Sequence, residues 1–165
     1  MSTMVRLGID GVLAEGWAYS MDASFTDFQG TDESLNVAAL DSHQDFFYSA
    51  QIRADNAFGQ GNYGAVQMRN FSTDTADAVG LYFNNRLTIA DSWWLYPRLL
   101  LDQRKSKDTD LKQIRIKPSL RLDYRYSRRF RMEMEAGYEW TSREMAAGDL
   151  DMQGLFLRAG YRALF

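Results

Sequence analysis

With 165 residues, 45% of them hydrophobic and 14% aromatic, the chain is long enough for one structural unit and too apolar to stay disordered. A net charge of −3 provides no global basic field, so no nucleic-acid partner is expected. The absence of cysteine removes thiolate metal sites, thiol nucleophiles and disulfides at once, and fits an oxidising compartment.

No apolar run reaches the roughly 18 residues of a membrane helix, and MSTMVRLG lacks the basic start and apolar stretch of a signal peptide. A removed signal or a fragment of a longer chain is the expectation that follows. Taken in chain order, strands are expected at 4–14, 17–27, 46–58 and 62–71, all with period-two patterning and no helical alternative. Next, Val79, Leu81, Phe83, Leu87 and Ile89 oppose Gly80, Tyr82, Asn84, Arg86 and Thr88, with Asn85 as an exception on the apolar face. A strand at 93–104 follows, and then Ile114, Ile116, Pro118, Leu120, Leu122, Tyr124 and Tyr126 oppose Arg115, Lys117, Ser119, Arg121, Asp123 and Arg125. Phe130, Met132, Met134, Ala136, Tyr138 and Trp140 face away from Arg131, Glu133, Glu135, Gly137 and Glu139. The last segment sets Leu155, Leu157, Ala159, Tyr161, Ala163 and Phe165 against Arg158, Gly160 and Arg162.

Links between these strands alternate in length. Short ones are expected at 14–16, 59–61, 91–92 and 127–129, and longer polar ones at 28–45, 72–77, 105–110 and 143–151. In a meander, successive turns fall at opposite ends, so short turns gather on one rim and long loops on the other, as in outer-membrane barrels. Pro97 and Pro118 each delete a ladder donor inside a strand and are expected at a bulge or a rim.

Period two does not say which face is outside, because a soluble lipocalin-like barrel and a membrane barrel share it with opposite polarity. Strands of ten or more residues are long enough to cross a bilayer when tilted. Aromatics collect near strand ends: Trp17, Tyr19, Trp93, Tyr124, Tyr126, Phe130 and Phe165 toward the short turns, and Phe25, Phe28, Phe46, Tyr138 and Trp140 toward the long loops. The charged face carries Arg53, Arg69, Arg86, Arg98, Arg104, Arg121, Arg125, Arg131, Arg158 and Arg162 beside Asp55, Asp102, Asp123, Glu133, Glu135 and Glu139, expected to line a wet or salt-bridged interior. The favoured fold is all-β: an antiparallel up-and-down transmembrane β-barrel, or the C-terminal part of a larger one, with nine or ten strands in this chain. The competing fold is a soluble carrier in which Leu120, Leu122, Met132 and Met134 line a ligand cavity.

The closing stretch RAGYRALF resembles the C-terminal assembly signal of bacterial outer-membrane β-barrels, with Arg158, Gly160, Tyr161, Ala163 and Phe165 in the matching places, although Ala163 is smaller than the apolar residue usual there. More broadly, residues 45–165, with YPRLLLDQR and RIKPSLRLDYRYSRRFRMEMEAGYEW, look like the C-terminal barrel of tetratricopeptide-repeat outer-membrane proteins of the exopolysaccharide-export porin type. The resemblance implies a bacterial outer-membrane location, a lipid bilayer and the outer-membrane assembly machinery as partners, and an upstream segment. It also implies an even strand count, hence a further strand upstream or within 34–40.

The expected role is a passive pore or export conduit, with polysaccharide as a cargo, and not an enzyme; a narrow, plugged barrel serving as anchor is the alternative. The one histidine, His43, sits beside Ser42 between Asp41 and Asp45, a grouping that admits a base and nucleophile but reads first as an ordinary loop histidine. Glu133, Glu135 and Glu139 at strand spacing read first as partners of Arg121, Arg125 and Arg131, not as a glycosidase pair. Asp27, Asp32, Glu33, Asp41 and Asp45 lack the glycine-centred spacing of a calcium loop, so no metal or cofactor is expected.

Overall fold

The computed structural model describes residues 2–30, 41–109, 111–145 and 148–163. Alternation of apolar and polar residues produces nine strands: β1 (Ser2–Ala14), β2 (Trp17–Phe28), β3 (His43–Asp55), β4 (Tyr63–Ser72), β5 (Ala76–Ala90), β6 (Trp93–Ser106), β7 (Lys112–Arg125), β8 (Phe130–Glu144) and β9 (Leu150–Ala163). They form one antiparallel sheet in sequence order, with no helix among the described residues. Each strand has 10 to 15 residues, enough to cross a bilayer at the usual tilt. The expected strand at 34–40 lies outside the described residues.

The sheet is open. Among the described residues β1 pairs only with β2, β9 only with β8, and no contact joins β1 to β9. Ser2 lies opposite Phe28 and Ala163 opposite Phe130, so β1 and β9 both run from the rim of link 29–42 to the rim of link 126–129.

Antiparallel pairing keeps opposed residues on one face, and the register therefore sorts the molecule into two surfaces. One carries Arg53, Arg69, Arg86, Arg98, Arg121 and Glu135; the other carries Ile52, Met68, Leu99, Leu120 and Met134. Apart from Ala54, the buried residues Thr26, Ser49, Ala76, Ala78, Gly80, Asp123 and Thr141 all lie on the charged face. On the opposite face large apolar side chains stand open, with Met134 at 53% and Leu157 at 70% exposure. The polarity is inverted relative to a soluble sheet, which shelters its apolar side.

Three expectations need correction. Link lengths do not alternate strictly: 59–61 is in fact the seven-residue link 56–62, and 72–77 contracts to 73–75. Asn56, at φ 59°, ends β3 early, and Gly61, at φ 80°, turns the chain so that its N–H donates to Asn56 Oδ1 (2.8 Å) while its carbonyl accepts from Arg86 Nη2 (3.0 Å). The link 73–75 stays tight because the Ala76 N–H donates to Thr73 Oγ1 (3.1 Å) and Lys107 Nζ donates to the Thr73 carbonyl (2.7 Å).

The prolines, second, occupy neither bulges nor rims. Pro97 faces Leu120 and Pro118 faces Leu99 in an unbroken β6–β7 register. Their missing donors point to the far neighbours, where pairing lapses between Asn84/Arg98 and Leu87/Leu95 on one side and between Ile116/Trp140 and Ser119/Gly137 on the other, with register preserved. The bulges instead fall at Leu13 and Ile89, each just ahead of a two-residue turn. Third, Phe28 belongs to the charged face, stacked 4.5 Å from His43. Ring contacts of the apolar face include Trp93–Tyr124 (4.3 Å) and Phe130–Tyr161 (6.1 Å) near one rim, and Phe25–Phe46 (4.9 Å) and Tyr138–Trp140 (4.4 Å) on the half of the sheet toward the other.

Candidate functional site: the charged face

Long polar side chains alternate with apolar ones along β6, β7 and β8, and the register brings them side by side. At its centre is Asp123, with 0% exposure, which accepts from Arg121 Nε (2.7 Å) and from Arg131 Nη2. Arg121 also donates to Glu133 (2.5 Å), and Arg131 donates to the Tyr96 hydroxyl (3.3 Å). Each group is thereby shared, which offsets the cost of withdrawing a carboxylate from water.

Further pairs continue the lattice away from that centre: Arg98–Glu135 (3.7 Å), Lys117–Glu139 (2.8 Å) and Arg115–Asp102 (3.1 Å). Several contacts leap over an intervening strand. Arg98 and Glu135 belong to β6 and β8, as do Tyr96 and Arg131, while Lys117 on β7 lies 4.6 Å from the ring centroid of Phe156 on β9. Strands two apart are about 9.5 Å from each other, so such reach draws this face together into the sheltered one.

Among the arginines read from the sequence, Arg98, Arg121 and Arg131 join this network. Arg53 pairs with Asp55 (3.0 Å), whereas Arg69 and Arg86 form a separate group, stacked at 4.7 Å on Tyr82 and 5.1 Å on Tyr63. Tyr63, Tyr82, Arg53 and Gln67 help to line a 370 Å³ concavity on that side of the face. Arg125 reaches the Asp91 carbonyl (3.3 Å), and Arg158 lies 5.4 Å from the Phe156 centroid. Arg104 and Arg162 make no ion pair with a described residue. The three glutamates do not converge: Glu133, Glu135 and Glu139 are divided among Arg121, Arg98 and Lys117, and not among Arg121, Arg125 and Arg131.

Sequence reasoning placed Tyr82 on this face but missed three other aromatic residues there. Trp94 carries Arg125 at 5.0 Å and Arg131 at 5.8 Å, Tyr96 carries Arg98 at 5.9 Å and Arg121 at 5.6 Å, and Phe156 fills the space over Gly137. The signal was present in WWLYPR, where Trp94, Tyr96 and Arg98 share one parity, but an aromatic in an alternating strand reads by default as apolar.

His43 opens β3 with Nδ1 3.4 Å from the Asp41 carbonyl and its ring against Phe28; among the described residues no carboxylate orients it. Asp32 and Glu33 of the acidic link lie outside the described residues, as does Phe165. Among the described residues no cluster of three metal-ligating side chains occurs. Of the terminal pattern, Arg158 lies opposite Glu135, Gly160 opposite Glu133, Tyr161 opposite Met132 and Ala163 opposite Phe130.

No family model matches the chain, and no curated protein matches it. Among solved structures, OmpT of Vibrio cholerae, an outer membrane protein folded in vitro, is similar over 98% of this chain with a TM-score of 0.71 and 11% sequence identity. The match covers 55% of that protein, so this chain spans about half its length. At that identity the likeness is one of fold: nine up-and-down antiparallel strands arranged as in an outer-membrane β-barrel.

Proposed function

We propose that the chain forms part of the wall of a bacterial outer-membrane β-barrel whose charged face lines the lumen and whose apolar face meets lipid, the whole acting as a passive pore or export conduit without cofactor or catalysis. The observation that carries this reading is the inverted burial: Asp123, Thr141 and Ser49 on the charged face are buried while Met134 and Leu157 are not. Polysaccharide is the cargo class that the likeness of residues 45–165 to export porins supports. In this reading the assembly machinery engages β9, whose outer edge carries no partner strand among the described residues.

β1 and β9 run in the same direction, so joining them directly, or joining this sheet to a second copy in the same membrane orientation, would create parallel seams in an antiparallel wall. An odd number of additional strands closes it without such a seam. The test is single-channel recording of the full-length protein in planar bilayers. Steady conductance steps are expected; an intact, detergent-soluble barrel that stays electrically silent would establish the anchor reading instead, and a protein soluble without detergent would overturn both.

A further inference from the structure

Several cross-strand partners on the lattice face carry opposite charge, and Asp123 and Glu133, which face each other, are bridged by Arg121. Asp102 faces Arg115, Arg121 faces Glu135, and Glu135 faces Arg158. At the rim of link 126–129, Arg125 faces Arg131 and Arg131 faces Arg162, so three guanidinium side chains stand in one row across β7, β8 and β9. Like charges directly opposite one another destabilise a sheet, their Cβ atoms being about 5 Å apart. The other basic pair, Lys105 opposite Lys112, is compensated by Asp77 opposite Lys105 and by Glu144 3.8 Å from Lys112.

Among the described residues only Arg131 of the row has a carboxylate, Asp123, and it shares it with Arg121. Arg125 has a backbone carbonyl and the Trp94 face; Arg162 has no ion pair among the described residues. Arg128 and Arg129 in the adjoining link add two exposed cations. Trp94 lies beneath the guanidinium carbons of Arg125 and Arg131, at 5.0 and 5.8 Å, and each gives Nη2 to the protein, Arg125 to the Asp91 carbonyl and Arg131 to Asp123 and Tyr96, so that their other N–H groups are the ones that can donate to an oxyanion. A row of three guanidinium groups with one shared carboxylate between them, two of the three held over an aromatic residue, is a cradle for negative charge.

We propose that Arg125, Arg131 and Arg162, with Arg128 and Arg129, form a binding site at this rim for phosphate-bearing anionic solutes, setting the charge preference of the conduit mouth. The assignment to a mouth rests on the pore reading; the binding itself does not. The test uses the full-length protein in detergent micelles titrated calorimetrically with tripolyphosphate, and the same protein in bilayers under a potassium chloride gradient. Binding that weakens with salt is expected, reduced about tenfold or more in R125Q/R162Q and unchanged in K107Q/K112Q at the opposite rim. Neither substituted arginine has a carboxylate partner among the described residues, so folding is expected to survive, and the single variants R125Q and R162Q provide a second measure. Chloride preference in the reversal potential should fall in parallel. Equal binding by R125Q/R162Q and the wild type, or equal loss in both double variants, would overturn the site. A silent barrel that still binds tripolyphosphate through these arginines would sink the pore reading and keep the site; a conducting barrel without binding would do the reverse.

Discussion

Asp123 is the residue on which the charged lattice converges, because two arginines from different strands end on one carboxylate that water does not reach. Asp123→Asn would remove the carboxylate of Arg131 and leave Arg121 with Glu133 alone. We expect a loss of about 2–3 kcal/mol, below the value for a fully dry pair because Arg121 and Arg131 remain 25% and 37% exposed. Glu133→Gln, at a carboxylate 45% exposed, should cost less than about 1 kcal/mol. Urea titrations of the two variants refolded into liposomes would separate them, and equal midpoints would refute the central role of Asp123. The sequence made both carboxylates visible as members of one face. It could not rank them, since that depends on Arg131 crossing from β8 to a residue eight positions earlier, beside Tyr96 on β6.

The strands themselves were legible almost end to end, since period two survives wherever both faces have a fixed environment. Less legible were the places where backbone chemistry overrides pattern: Asn56 turning at positive φ, Thr73 capping a three-residue link, and two prolines absorbed by lapses in pairing. Gly137 sits next to one such lapse. A Cβ there would lie 2.4 Å from Phe156 Cζ and 2.7 Å from the Pro118 carbonyl oxygen, the second being backbone that does not yield. Gly137→Ala is therefore expected to destabilise the β7–β8–β9 region by about 1–3 kcal/mol, whereas Gly154→Ala, with nothing within 4 Å, should be neutral. Hydrogen exchange across β7–β9 should quicken in the first variant and not in the second.

For the molecule as a whole, the decisive quantity is which surface meets hydrocarbon. Leu120 lies in mid-strand on the open apolar face, opposite Pro97 and Ala136, and Gln67 lies on the charged face opposite Gln51. Leu120→Arg should cost about 2–4 kcal/mol in a bilayer, while Gln67→Arg should change stability by no more than about 0.5 kcal/mol. Lipid-vesicle folding equilibria would read the difference, and the reverse order would mean that the apolar side is the interior. The sequence could pose that question but not answer it, because alternation is symmetric between inside and outside; side-chain shelter around Asp123 and Thr141 breaks the symmetry. The shared direction of the two boundary strands has one more effect. Thr3 and Arg162 lie at opposite rims, so a bulky impermeant reagent offered to sealed vesicles should reach a cysteine placed at one of them and be denied the other, and the pattern should invert when the vesicles are turned inside out.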